Sequence, residues 1–135
     1  MNSNLIKYLF ILSCLAIRCF GMDEFAALSQ IESGDNDFKT GTHHEVSRYQ
    51  IMPRVWREAI KRGHYDGFNP TNYVQASIIA SSIMCDRLNT YTTHHGRQPN
   101  TREGYLLWHC PARVDHPTTA DMEIATRFAN LCHKK

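Results

Sequence analysis

Ala27-Leu28-Ser29-Gln30-Ile31-Glu32-Ser33-Gly34 is the stretch on which the reading of this chain turns. Phe25, Leu28 and Ile31 recur at helical spacing with Ala26 and Ala27 between them, so a first helix is expected over Met22 to Ile31. Ser33-Gly34 is its stop, because glycine takes the left-handed conformation that closes a helix without steric cost. Glu32 is thus a carboxyl at the boundary of an apolar helix and whatever cleft lies beyond it. Partial desolvation disfavours the charged form of such a group. Acid-catalysed glycoside cleavage needs a carboxyl of that kind, still protonated near neutral pH. On position alone, an ordinary surface glutamate near a helix end is the better account of Glu32.

Downstream, Asp35 to Ser47 is polar and rich in Gly, Asp, Asn and His, and reads as a loop or short hairpin. Pro53 suits the first turn of a second helix that carries Val55, Trp56, Ala59 and Ile60 and ends at Gly63. Asn69-Pro70 opens a longer third helix, with Tyr73, Val74, Ile78, Ile79, Ile83, Met84, Leu88 and Tyr91 as its apolar positions. Pro99 and Thr101 start a fourth, through Tyr105, Leu106, Leu107 and Trp108, which Cys110-Pro111 stops. Thr118, with Asp121 three residues on, caps a last helix carrying Met122, Ile124, Ala125, Phe128, Ala129 and Leu131. Trp56, Tyr73, Tyr105 and Phe128 fall on helical apolar stripes, where core packing is the default. The expectation is one all-α domain over residues 22–135, roughly five helices around a single core, as a monomer.

The chain has 135 residues, 42% of them hydrophobic, enough for one such core. Leu5 to Ile17 is an apolar run carrying only Lys7, and Cys19-Phe20-Gly21 places small residues at the −3 and −1 positions of a cleavage site. Residues 1–21 therefore read as a signal peptide cut after Gly21, and the chain as secreted or periplasmic. The run is well short of the ~20 apolar residues a membrane span needs, so no stable insertion is expected after cleavage. Of the 15 Lys and Arg, Lys7 and Arg18 leave with that segment, and the rest balance the 13 Asp and Glu. No basic stripe with interleaved aromatics is present, which argues against nucleic acid as a partner. Cys85, Cys110 and Cys132 remain after cleavage. An oxidising compartment allows one disulfide and one free thiol among them, and three buried free thiols are the alternative.

Two further segments carry chemistry: Ser47-Arg48-Tyr49-Gln50-Ile51-Met52-Pro53 and Tyr105-Leu106-Leu107-Trp108-His109-Cys110-Pro111-Ala112-Arg113-Val114. In order behind Glu32-Ser33, they resemble the soluble lytic transglycosylase and goose-type lysozyme family, over about Ala26 to Val114. The second motif of that family typically reads Gly-Leu-Met-Gln-Ile-x-Pro and the third Ala-Tyr-Asn-Ala-Gly-Pro-Gly. The resemblance implies a lysozyme-like fold, a lytic transglycosylase or muramidase activity, and peptidoglycan glycan strands as the partner, with no cofactor. It implies Glu32 as the general acid that later acts as base. Ser33 corresponds to the serine that positions the N-acetyl group, and Gln50 to the cleft glutamine. Trp108 stands where the family has Tyr, an aromatic wall on which a sugar face can stack. Tyr49, Tyr105 and His109 complete the implied substrate-binding set.

The departures are specific. His109 replaces an Asn and titrates near neutrality. Arg48-Tyr49 replaces Leu-Met, and Cys110-Pro111 replaces Ala-Gly-Pro with one residue lost. A hydrolase needs a second carboxylate roughly 5–9.5 Å from the acid, whereas a transglycosylase of this group uses the substrate's own acetamido group and an internal hydroxyl. Glu45 is the best second candidate, ahead of Asp35 and Asp37, and a solvated loop charge explains it equally well. Transglycosylation is slightly favoured over hydrolysis, because no second acid is compelling. His43-His44, His94-His95, Cys110, Cys132 and His133 lack the spacing of a zinc site, so no metal is expected. His109 and Cys110 are adjacent, which seldom presents a base to a nucleophile. The alternative to an enzyme is a non-catalytic glycan-binding or structural module on the same fold.

Overall fold

The computed structural model describes residues 20–133. The helices are α1 (Met22–Ser33), α2 (Pro53–Gly63), α3 (Tyr73–His95), α4 (Thr101–His109) and α5 (Thr119–Cys132), with a 3-10 turn at Pro111–Arg113 between α4 and α5. The chain is all-α, with no strand among the described residues. No helix among them is long and apolar enough to cross a membrane.

Local chemistry sets the boundaries. Gly34 closes α1 in the left-handed conformation with φ 66°. Pro53 opens α2. Asn72 caps α3 by accepting from the Gln75 N–H at 3.1 Å. Thr118 and Asp121 form a reciprocal capping box at α5, as Asn100 and Glu103 do at α4. The third helix thus starts later than Asn69-Pro70 suggests, because the Asn69 carboxamide oxygen ties Thr71 into a turn, accepting its N–H at 2.9 Å. The 35–47 segment is a turn-rich loop whose only ladder contact among the described residues is an antiparallel bridge between Val46 and Ile51.

α4 packs on α5, α3 and, through the core, α1, while α2 packs on α3 and α1 on α5. Leu28, Ile79, Met84, Leu88, Tyr105, Leu106 and Phe128 are fully buried at the centre. Tyr73, Val74 and Ile78, expected on the core stripe of α3, are exposed instead, Tyr73 by 53%. That long helix reaches past the core at its N-terminal end, and Tyr73 carries the Arg48 guanidinium 4.4 Å from its ring centroid. Of the three described cysteines only Cys110 is buried, with Cys85 and Cys132 partly exposed.

Residues 1–19 of the expected signal peptide lie outside the described residues, but its last two positions do not. Phe20 is only 7% exposed, stacks on Phe128 at 5.9 Å and meets Phe25 edge-on at 5.6 Å. Gly104 leaves room for it, since a Cβ there would sit 2.8 Å from the Phe20 ring. The Gly21 N–H donates to Glu24 at 2.8 Å and caps α1. A chain starting at Met22 forfeits both. It is expected to unfold with about 2–3 kcal/mol less stability than one starting at Phe20, the worth of one buried phenyl ring. Thermal and urea melts of the two species check this, and equal midpoints refute it.

Candidate functional site

Glu32 sits in the last turn of α1 with its side chain only 13% exposed. Tyr105 and His109 lie one turn apart on α4, so both rings face the end of α1, stacked 5.5 Å apart. The Tyr105 hydroxyl donates to Glu32 Oε1 at 3.0 Å, and His109 Nδ1 lies 3.7 Å from the same oxygen. Burial, then the neighbouring carboxylate, pushes the Tyr105 phenol far above its ordinary range, so it stays a donor. The neighbouring Glu32 carboxylate raises the His109 imidazole above its usual value, against the opposing effect of burial.

The loop after α1 is anchored at several points. Gly34 and Asp35 both take positive φ. The Ser29 hydroxyl, buried in α1, donates to the Asp35 carboxylate. Arg48 grips Asp37 with two hydrogen bonds, Nε at 2.6 Å and Nη2 at 2.9 Å, which holds the Asp37 carboxyl below its usual range. Arg48 therefore clamps this loop. The clamp brings Lys39 back to α1, where Nζ donates to the Glu32 carbonyl oxygen at 2.8 Å. Gln50 Nε2 holds the same loop from the other side, donating to the carbonyls of Lys39 at 3.1 Å and Ser47 at 3.0 Å.

These elements enclose a cleft of about 340 Å³, whose walls include Glu32, Glu45, Gln50, Trp108 and His109. The Glu45 carboxylate accepts the His43 N–H at 2.8 Å. Its own main-chain N–H, and then that of His43, hold it below the ordinary glutamate range. Asp35 and Asp37, the other second-acid candidates, are engaged in the clamp and do not line the cleft. Trp108 is fixed by its indole N–H, which donates to the Tyr49 carbonyl at 3.1 Å.

Three expected substrate contacts, Ser33, Tyr49 and Tyr105, sit behind the cleft, and the fully buried Tyr105 meets Glu32 through its hydroxyl. Ser33 donates to the Ser29 carbonyl at 3.2 Å and accepts the Asn36 N–H at 3.0 Å, so its hydroxyl finishes the helix. Tyr49 is buried between Phe25 and Trp108, and its hydroxyl meets Ser77 at 3.0 Å. None of the three lines the cleft. Lys39, Gly41, Thr42 and Arg87 line the cleft and escaped the sequence reading. A Cβ on Gly41 would run into the Glu45 carboxylate and come within 2.7 Å of Gln50 Oε1. Nothing in the sequence marks Lys39 or Gly41. Arg87 was legible as a charge one helical turn from both Ile83 and Tyr91, on a stripe that is otherwise apolar.

Among the described residues no group of three or more His, Cys, Asp or Glu side chains could hold a metal ion. Comparison of the chain with protein families, curated proteins and solved structures returned no match.

Proposed function

We propose that this protein cleaves the β-1,4 bond between N-acetylmuramic acid and N-acetylglucosamine in peptidoglycan, outside the cytoplasmic membrane, with Glu32 as general acid and then base. One observation carries the reading: three segments far apart in sequence bring Glu32, Gln50, Trp108 and His109 to the walls of one cleft. The Tyr105 hydrogen bond occupies Oε1 and leaves Oε2 as the oxygen for the transferable proton. Glu32 protonates the glycosidic oxygen as the bond breaks, and the acetamido group of the substrate supports the cationic carbon. The carboxylate then takes the proton of the sugar 6-hydroxyl, which closes an anhydro ring. Trp108 lines the cleft but is only 7% exposed, so it backs the wall beside Glu32 instead of presenting a free ring face.

Hydrolysis is the second reading. It is favoured by Glu45, an ionised carboxylate on the same cleft that could activate a water. Mass spectrometry of the soluble products from purified peptidoglycan separates the two. Anhydro-muramyl ends mean transglycosylation and make Glu45 dispensable. Reducing muramyl ends mean hydrolysis. No products from a folded protein that still binds strands overturns the enzyme in favour of a glycan-binding module.

His109 makes the reading sensitive to pH. Its Nδ1 lies 3.7 Å from Glu32 Oε1 and that carboxylate raises the imidazole value, so the charge beside the proton donor changes near neutrality. His109→Asn is expected to raise activity about two- to fivefold on the acid side of neutrality, the worth of one partly exposed charge pair, and to remove one limb of the pH profile. Because the folded value of His109 is raised, its contribution to stability is complete below the unfolded imidazole value and is lost as pH rises through the folded one. Wild type should therefore lose more melting temperature than the variant between pH 6 and 9, a range set by the imidazole. Parallel melts and rate profiles check both.

A further inference from the structure

Arg87 projects from the middle of α3 onto the cleft wall, beside Ile83 and Trp108. Its Nη1 donates to the carbonyls of Leu107 at 3.0 Å and Trp108 at 2.7 Å, the last turn of α4. The guanidinium also lies over the Trp108 ring, 5.4 Å from its centroid. The Nε–Nη2 edge has no hydrogen bond among the described residues. Arg48, Arg54, Arg62, Arg97 and Arg113 each meet an Asp or Glu. No described carboxylate, Glu32 and Glu45 included, lies within the 4 Å ion-pair distance of Arg87. Burial alone lowers its affinity for the proton, with no carboxylate to offset the cost.

The Nε–Nη2 edge of an arginine is a two-pronged donor that matches a carboxylate. Here it belongs to a half-buried cation, locked in place by two carbonyls and an indole, on the wall of the cleft that holds Glu32. We propose that Arg87 is a subsite for a carboxylate carried by the glycan strand, so that the cleft selects muramyl glycans over neutral chitin-type ones. The inference rests on the glycan reading above and deepens it. Peptidoglycan offers that carboxylate in two places, the lactyl group of muramic acid where the stem peptide is gone, and the stem peptide where it remains. Chito-oligosaccharides offer none.

The test is binding, measured by calorimetric titration on full-length Glu32→Gln protein so that no strand is cut. The ligands are a chito-oligosaccharide, a peptide-free muramyl strand and a peptide-bearing strand of equal length. Adding Arg87→Gln should weaken one or both muramyl strands by about ten- to a hundredfold, the worth of one charge-assisted hydrogen bond, and leave the chito-oligosaccharide unchanged. Loss on the peptide-free strand assigns the lactyl carboxylate, and loss confined to the peptide-bearing strand assigns the stem. Arg87→Lys should recover part of the loss. An equal loss on all three ligands, or none on the muramyl strands, overturns the subsite and leaves the glycan reading standing. If both variants fail to fold, the salt dependence of the Glu32→Gln protein decides. Muramyl binding should weaken with added salt while chito-oligosaccharide binding does not, and parallel curves overturn the subsite. If that protein binds none of the three, the glycan reading falls and the subsite with it.

Discussion

Glu32→Gln is expected to lower the rate of peptidoglycan solubilisation by about 10²–10⁴-fold, the range of a positioned general acid. The amide is nearly isosteric and can still accept the Tyr105 hydroxyl that now reaches Oε1 at 3.0 Å. What it lacks is a transferable proton. Glu32 lies at the end of α1, its main-chain carbonyl held by Lys39, so the fold should absorb the change with less than about 1 kcal/mol of stability lost. Strand binding should persist, because Gln50, Trp108 and His109 are untouched. The check is release of soluble fragments by wild type and variant, with a melt of each. Undiminished release removes Glu32 from the mechanism and with it the site assignment.

Glu103→Gln is expected to cost about 2 kcal/mol at neutral pH, because it loosens the helix that delivers Trp108 and His109 to the cleft and Tyr105 to Glu32. Glu103 closes the capping box of α4, with Asn100 N–H donating to Oε2 at 2.8 Å. It also receives both terminal nitrogens of Arg97, at 2.6 and 2.9 Å, and the Tyr91 hydroxyl at 2.9 Å. The Arg97 guanidinium is the main cause of a Glu103 value held at about 2, and Glu103 in turn helps burial push the Tyr91 phenol up to about 12. A full conversion of that depression gives about 3 kcal/mol, and the figure is reduced because Arg97 is more than half exposed and its charge is screened. The sign follows from the depressed value. The stabilisation is complete above the unfolded glutamate value and is lost as pH falls through about 2. Wild type and variant should therefore differ most near pH 7 and converge towards pH 2. Urea melts across that range are the measurement, and a gap that persists into acid would show that the carboxylate charge is not its source.

Much of the helical frame was legible residue by residue. Gly34, Pro53 and the Thr118–Asp121 pair each act over one turn of chain, so their effect needs no knowledge of the rest. Tyr105 and Phe128 likewise sit where an apolar stripe puts them. Tyr73, Val74 and Ile78 mislead because periodicity shows which face of a helix is apolar, not where the partner helices end. Ser33 reads as a substrate contact and Tyr49 as its companion, yet one completes a helix and the other fills the core. A hydroxyl or a ring carries no mark of which neighbour it will meet.

Residue types and their local order were enough for the all-α class and most helix ends, since each depends on interactions within a turn, while Glu32 was singled out by the order of three motifs along the chain. The cleft itself came only with tertiary packing. α1 and α4 must meet before Tyr105 and His109 reach Glu32, and Arg48 must find Asp37 before Lys39 returns to α1. Gly41 likewise shows its purpose only once Glu45 and Gln50 crowd it. Those contacts join residues distant along the chain, and which of the many conceivable pairs forms is decided by how the helices pack around a common core.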